Sequence, residues 1–313
     1  MRILTMSGFI PEQIVDTVRF TQYSGGQRIS HYCGYAADFI SQVLEDDEID
    51  GAAFPHSCDS CRVLPDYLSE GRKFVYPLYI PARQDSYAAD FFAKSIYSFK
   101  SAVERYYGIT IRDVSERIAL VNKRNRKISA LYEHIAECSY ADYLRSIHFM
   151  LKQPLAEQTP PQSVSNRKSD GIGVFLVGSF LANVDLAAAI ENAGLRVVGD
   201  NITNSKRLFS APPVNTSGDI FRNIAESLLN NRLSPTQDNF SEILRSDLDE
   251  MKRKNVKGVI FVTQKFCEPY DYLFLSYQQM LDENGIPALR LVQANSTDRK
   301  RSDFSLEAFR DIL

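Results

Sequence analysis

The sequence predicts an α/β protein built from two halves, each with a parallel sheet that carries helices on both faces. Short apolar runs that end in turn residues alternate with longer segments of helical periodicity, which is typical of parallel sheets. A polar segment rich in Pro and Ser separates the two halves. With 313 residues, the chain is long enough for two domains of ordinary size.

The composition is that of an ordinary globular protein, with 44% hydrophobic and 24% charged residues and a net charge of −3. We expect no nucleic-acid partner, and we interpret the basic run at 123–127 as a solvated helix face. No apolar run reaches the roughly 18 residues that a membrane span needs. The N-terminal residues lack the apolar core of a signal peptide, so we expect a cytoplasmic protein whose five cysteines form no disulfide framework.

In the first half, the strongest predicted element is a helix over 87–107. Phe92, Ile96 and Phe99 recur there at helical spacing, and Gly108 is a favourable stop. Pro11 is tolerated in a first helical turn, so a short helix is also predicted over 11–18. The other predicted elements are strands at 51–54 and 74–78, and helices from Gly34 to Asp46, from Pro65 to Gly71, over 114–137 and from Ser139 to about Lys152.

The second half repeats the alternation of strands and helices. Residues 153–170 are rich in Pro, Ser and polar side chains, which is typical of a domain boundary. We therefore predict an N-terminal domain over 1–155, a linker over 156–170 and a C-terminal domain over 171–313. The predicted elements are strands at 172–177, 196–198, 259–262 and 288–292, and helices over 185–190, 217–230, 238–254, 270–283 and from Ser305 onward.

Three thiols stand where a parallel sheet would place a functional site. Cys58 follows the strand at 51–54, and Cys267 follows the strand at 259–262 after a short loop. Ligands of such sheets bind beyond the carboxyl ends of the strands, so these two cysteines could face each other across a cleft between the domains. Cys33 precedes a helix, where backbone N–H groups favour a thiolate.

The chemistry of these thiols stays open at this point. Cys58 and Cys61 form a C-x-x-C pair, which alone fits a redox dithiol, half of a zinc site or buried thiols. Three thiolates from dispersed loops also suit an iron–sulfur cluster that leaves one iron open. His31 and His56 lie near the cysteines in sequence, and we interpret them first as polar loop residues. Cys138 is interpreted as a packed or half-exposed free thiol.

Several segments together resemble a known family, the subunits of 2-hydroxyacyl-CoA dehydratases and benzoyl-CoA reductases. Each motif is weak alone, but their order and spacing extend over most of the chain. The resembling segments are Gly8–Val15, the loop Cys33–Ala36, the stretch Phe54–Leu64 with its Cys-Asp-Ser signature, Tyr76–Pro81, Ile190–Asp200, the Lys-x-Cys-Glu-Pro motif within Lys265–Tyr272, and Gly285–Arg290.

The resemblance implies a subunit of two flavodoxin-like domains with a [4Fe-4S] cluster between them. Carried over residue by residue, the cluster ligands would be Cys33, Cys58 and Cys267. Members of this family act as lyases or oxidoreductases on acyl-CoA substrates by a radical mechanism. They pair with a paralogous subunit as a heterodimer and receive low-potential electrons from a separate ATP-dependent iron–sulfur activator protein. The sequence singles out no catalytic acid or base.

The chain also departs from the family pattern. It is shorter than most family subunits at the N-terminus, the segment Asp200–Arg207 lacks the usual Cys or Gly, and Cys61 is an additional thiol. Two alternatives therefore accompany the main interpretation. The chain could be a non-catalytic partner that only carries a cluster, or a double-cubane-type reductase of a small substrate without CoA.

Overall fold

The computed structural model describes residues 1–6, 8–15, 17–21, 32–69, 71, 73–157, 170–181, 184–231, 235–238, 240–293 and 299–313. His31 and most of the expected linker, residues 158–169, lie outside these ranges. The described chain forms two four-stranded sheets flanked by helices, and every pair of neighbouring strands is parallel. The predicted α/β class with two flavodoxin-like units is therefore confirmed.

The two sheets share one strand order. The first sheet runs β2-β1-β3-β4, and the second runs β6-β5-β7-β8, so β3 and β7 occupy equivalent places beside β1 and β5. The strands are β1 (Ile3–Thr5), β2 (Thr17–Arg19), β3 (Gly51–Pro55), β4 (Phe74–Leu78), β5 (Ile172–Gly178), β6 (Leu195–Asn201), β7 (Gly258–Gln264) and β8 (Ala288–Gln293).

Local sequence signals account for most helix boundaries. The Asp85 side chain accepts a hydrogen bond from the backbone N–H of Ala88 at 2.9 Å, and Gly108 ends the same helix with a φ of 65°. The α-helices are α1 (Gly34–Glu45), α2 (Asp59–Arg62), α3 (Leu64–Leu68), α4 (Ser86–Tyr107), α5 (Val114–Glu133), α6 (Tyr140–Lys152), α7 (Val184–Asn192), α8 (Ile220–Leu229), α9 (Phe240–Arg253), α10 (Glu268–Glu283) and α11 (Arg299–Ile312). None of these helices is long and apolar enough to cross a bilayer.

Alternate strand residues enter different cores, so both faces of each sheet are covered. In β5, Val174 and Leu176 pack with α6 and α7, whereas Phe175 and Val177 pack with α9 and α10 on the other face. This burial on both faces explains why the strands read as continuous apolar runs in the sequence.

Each half of the chain also contributes a helix to the core of the other sheet. Helix α6 belongs to the first half in sequence, but its apolar side chains join the core under β5 and β7. Helix α8 belongs to the second half and packs with α4 in a core of the first sheet. These shared cores couple the two sheets, so residues at their carboxyl ends are held at fixed relative positions.

The expected helix over 11–18 is wrong, and so is part of the expected solvated basic face. Residues 12–14 form a turn that leads to β2, because the buried Glu12 carboxylate contacts Arg19 and Arg124. Arg124 lies within the basic run on α5 but is buried, while its neighbours Lys123 and Arg126 are exposed. A tertiary ion pair between distant segments therefore overrides the local preferences of both.

Candidate functional site

The three predicted thiols meet at the carboxyl ends of the two sheets. Cys58 follows β3, and Cys267 follows β7, which is the equivalent strand of the second sheet. Both strands border the point where the strand order reverses, which is the usual ligand position in such sheets. Cys33 stands at the start of α1, the helix that follows β2 in the first sheet.

Each of these three cysteines is the N-cap residue of a helix. Cys33 precedes α1, Cys58 precedes the short α2, and Cys267 precedes α10. None of the three side chains forms a regular capping hydrogen bond, but backbone N–H groups of the first turns, those of Ala36 and Cys61, lower the pKa of Cys33 and of Cys58. The helix N-terminus favours negative charge on a nearby thiol, which is the form that binds metal.

The thiols influence each other's protonation. Hydrogen bonding with the Cys267 thiol lowers the pKa of Cys33, although burial opposes it, and the same bond raises the pKa of Cys267. Hydrogen bonding with Cys61 lowers the pKa of Cys58 to about 7 and raises the pKa of Cys61. Within the set, Cys33 and Cys58 therefore lose their protons more readily than Cys267 and Cys61.

Two adjoining cavities share these three thiols as part of their walls. The inner cavity has an empty volume of about 790 Å³ and is lined largely by apolar side chains, with Cys61, Ser179, Thr203 and Arg207 among the others. The outer cavity is wider, with about 1470 Å³. Cys33, Cys58 and Cys267 line both cavities, so they stand at the junction between the smaller inner cavity and the wider outer one.

The two cavities differ in charge. Asp59, Glu268 and Asp271 line the outer cavity together with aromatic side chains such as Phe266 and Tyr272. The inner cavity carries the Arg207 guanidinium and no carboxylate among its described lining residues. Among the described lining residues, the thiols thus separate an acidic outer side from an inner side that carries one cation, Arg207.

Backbone strain occurs directly beside one of the thiols. Phe266 adopts a φ of 66°, a left-handed conformation that bulky side chains rarely occupy, and its ring is half exposed at the outer cavity. Its neighbour Cys267 receives its backbone position from this turn, since its N–H donates to the Gln264 carbonyl at 3.1 Å. Strain of this kind is typical of residues that hold functional groups in place.

The donor geometry argues against a site for a single ion. Across the described ranges, no three His, Cys, Asp or Glu side chains are placed to hold one metal ion. A cubane cluster with one open iron makes a different demand, because three of its irons take one thiolate each and the ligands surround a volume rather than a point. Three thiols around one cavity agree with that demand in donor type and number.

The other cysteine and the histidines lie apart from this arrangement. Cys138 donates to the Ile135 carbonyl at 3.6 Å, and burial raises its pKa to about 11. His56 packs against Tyr79, with ring centroids 4.7 Å apart, and is not among the residues that line either cavity. His31 lies outside the described residues.

The sequence did not single out Ser179 or Arg207, which line the inner cavity. The sequence pattern could have indicated Ser179 as a site residue. It follows a Gly at the carboxyl end of β5, beside the point of strand-order reversal. No pattern indicated Arg207, since it is one basic residue in a polar loop that precedes an apolar pair.

Comparisons with known proteins agree with this architecture. Residues 26–313 match the sequence profile of the family described as 2-hydroxyglutaryl-CoA dehydratase, D-component. The chain is 23% identical to the (R)-phenyllactyl-CoA dehydratase beta subunit of Clostridium sporogenes, over 91% of this chain and 82% of that protein. It is 25% identical to a benzoyl-CoA reductase subunit from Thauera aromatica, over 71% of this chain and 63% of that protein. The chain therefore belongs to the family of 2-hydroxyglutaryl-CoA dehydratase D-components.

Proposed function

We propose that this chain is the [4Fe-4S]-binding subunit of a 2-hydroxyacyl-CoA dehydratase-like or benzoyl-CoA reductase-like enzyme, with Cys33, Cys58 and Cys267 as the ligands. The observation that carries the proposal is the meeting of these three thiols around one cavity, each at a helix N-terminus. When bound, the cluster would supply one-electron chemistry at low potential and an open iron for an oxygen ligand.

The residues of this chain would contribute three things. The helix N-termini would stabilise the thiolates, and the shared cores would hold loops from both sheets at a fixed separation. The largely apolar inner cavity would keep water from the site, which a low-potential reaction requires. Cys61 lines the same cavity but would not be a ligand of the single cluster.

The proposed partners follow from the relatives. Both curated relatives are named as subunits, which supports a complex with a paralogous subunit as a heterodimer. Their names contain acyl-CoA compounds, which supports an acyl-CoA substrate for the complex. We further propose that an ATP-dependent iron–sulfur activator protein delivers the electrons and that the complex acts as a lyase or an oxidoreductase in the cytoplasm.

Iron analysis after anaerobic reconstitution tests the proposal. We expect a brown protein with about four irons per chain. Separate Cys33→Ala, Cys58→Ala and Cys267→Ala variants should each lose most of this iron, whereas the control Cys138→Ala should retain it. A colourless wild-type protein without iron would contradict the proposal.

The same preparations decide between the main proposal and its alternatives. About eight irons per chain would favour a larger double-cubane cluster, for which Cys61 would be an available additional ligand. Binding of an acyl-CoA to the isolated chain, measured by calorimetry, would rule out a purely cluster-carrying partner.

A further inference from the structure

Arg207 is a buried cation without an ion-pair partner among the described residues. Its side chain lines the inner cavity, and the residue is only 6% exposed. Its Nε donates to the Asn201 side-chain oxygen at 2.6 Å, Nη2 to the Asn201 carbonyl at 2.8 Å, and Nη1 to the Thr203 hydroxyl at 3.1 Å. All these partners are neutral, and no described carboxylate forms an ion pair with it.

Among the described residues, the charge of this arginine is compensated only without ion pairs: Asp247 and Asp200 act on the guanidinium electrostatically, and its Cζ lies 5.2 Å from the centre of the Tyr270 ring. A buried guanidinium loses its hydration, and hydrogen bonds to neutral groups restore only part of that loss. A guanidinium has five N–H donors, and Asn201 and Thr203 occupy three of them. Two N–H groups therefore remain for a ligand in the cavity that the guanidinium lines.

Ser179 supplies a second, independent indication at the same wall. It is 3% exposed, its hydroxyl has no hydrogen-bond partner among the described residues, and it lines the inner cavity with Arg207. A buried hydroxyl without a partner retains a donor for a ligand. A residue with spare cationic donors and a residue with an unsatisfied hydroxyl thus line the cavity that the thiols share.

We propose that Arg207 is the counter-ion, and Ser179 a further hydrogen-bond donor, of the anionic cluster bound by the three cysteines. This inference rests on the proposed function. Three thiolates give the bound cluster a net negative charge, and sulfide is the acceptor that it presents to donors. The acidic outer cavity contributes no such cation among its lining residues, so the compensation comes from the inner side.

The consequence is an effect on the reduction potential. Reduction adds negative charge to the cluster, so a nearby cation and N–H donors stabilise the reduced form more than the oxidised form. Loss of the Arg207 charge should therefore lower the potential. Arg207→Lys keeps the positive charge but replaces the planar guanidinium with an ammonium group. The reduction potential of the cluster in this variant should therefore lie between those of the wild type and Arg207→Met.

An EPR-monitored redox titration of the reconstituted full-length protein is the test. We expect a lower potential for Arg207→Met, a smaller decrease for Ser179→Ala, and no change for the control Lys206→Met. Lys206 is the chain neighbour with the same charge, but it pairs with Glu250 and lines neither cavity. An unchanged potential in a fully loaded Arg207→Met protein would overturn the inference.

Thermal unfolding with and without the cluster gives a second readout. Arg207→Met should gain less stability on cluster loading than the wild type gains, because the bound cluster then lacks its counter-ion. If Arg207→Met does not fold, the titrations of Arg207→Lys and Ser179→Ala decide.

Two further outcomes separate the possible failures. Weaker acyl-CoA binding with an unchanged potential would reassign Arg207 to the substrate and so overturn this inference, while the cluster proposal stands. A wild-type chain that takes up no iron would overturn the proposed function, and this inference with it.

Discussion

Replacing Glu12 with Gln should destabilise the protein by roughly 3–5 kcal/mol, the usual cost of breaking a buried ion pair. The residue is 2% exposed, and its carboxylate receives hydrogen bonds from Arg124 at 3.0 Å and from Arg19 at 3.2 Å. Glutamine has nearly the same shape, so the substitution removes the charge without creating a cavity. Two buried guanidinium groups would then lack their shared anion.

The pKa of Glu12 gives a second value for the stabilisation that the ion pairs provide. Burial raises the pKa of this carboxyl, but the charges of Arg124 and Arg19 outweigh burial and lower it from 4.5 to about 2. A difference of this size corresponds to about 3 kcal/mol. Because the folded pKa lies below the unfolded one, this stabilisation is complete above about pH 4.5 and is lost as the pH falls towards 2.

Urea unfolding followed by circular dichroism at pH 7 measures the effect. The matched control is Glu226→Gln, which removes a carboxylate from an exposed pair with Arg222 and should cost less than about 1 kcal/mol. Adding Arg124→Met to Glu12→Gln should recover part of the loss, since one unpaired cation is removed. A Glu12→Gln protein within about 1 kcal/mol of the wild type would refute the reasoning.

Three other predictions concern the buried core and the site. Burial lowers the pKa of His148 from 6.5 to about 4, so stability should decline by about 3 kcal/mol as the pH falls from 6.5 to 4, and His148→Gln should remove that part of the pH dependence in urea unfolding. Gly178→Ala should prevent folding or cost more than about 3 kcal/mol, because a Cβ there would lie 1.8 Å from the Val262 carbonyl oxygen; a thermal melt like that of the wild type would contradict this. Cys61→Ser should retain the iron of a single cluster in metal analysis, whereas loss of half the iron would indicate that Cys61 is a ligand.

The fold class was predictable because the strands of the second half are long apolar runs that end at clear turns. The sequence did not indicate β1 and β2, since Ile3–Thr5 and Thr17–Arg19 are too short for any periodicity to be visible. The segment after Pro11 appeared helical because the pattern cannot reveal that Arg124, more than a hundred residues away, binds Glu12. The boundaries of α6 were predicted, but its packing under the second sheet depends on tertiary contacts alone.

The candidate site was likewise predictable only in part. Cys58 and Cys267 follow apolar runs, so their place at the carboxyl ends of equivalent strands could be predicted from the pattern and the topology rule. The N-cap position of Cys33 was likewise visible from the helical pattern that follows it. The part of the inner cavity that Arg207 lines was not predictable. Arg207 reaches this cavity through the loop after β6 and carries no periodic or motif signal.

Mössbauer spectroscopy of the anaerobically reconstituted chain tests the central claim most directly. With three cysteine ligands, one iron of the four in a cubane lacks a thiolate, so we predict about four irons per chain and one iron site distinct from the other three. Substitution of Cys33, Cys58 or Cys267 should remove this spectrum, and substitution of Cys138 should not. A chain with no cluster iron, or with a spectrum that survives loss of all three cysteines, would contradict the account.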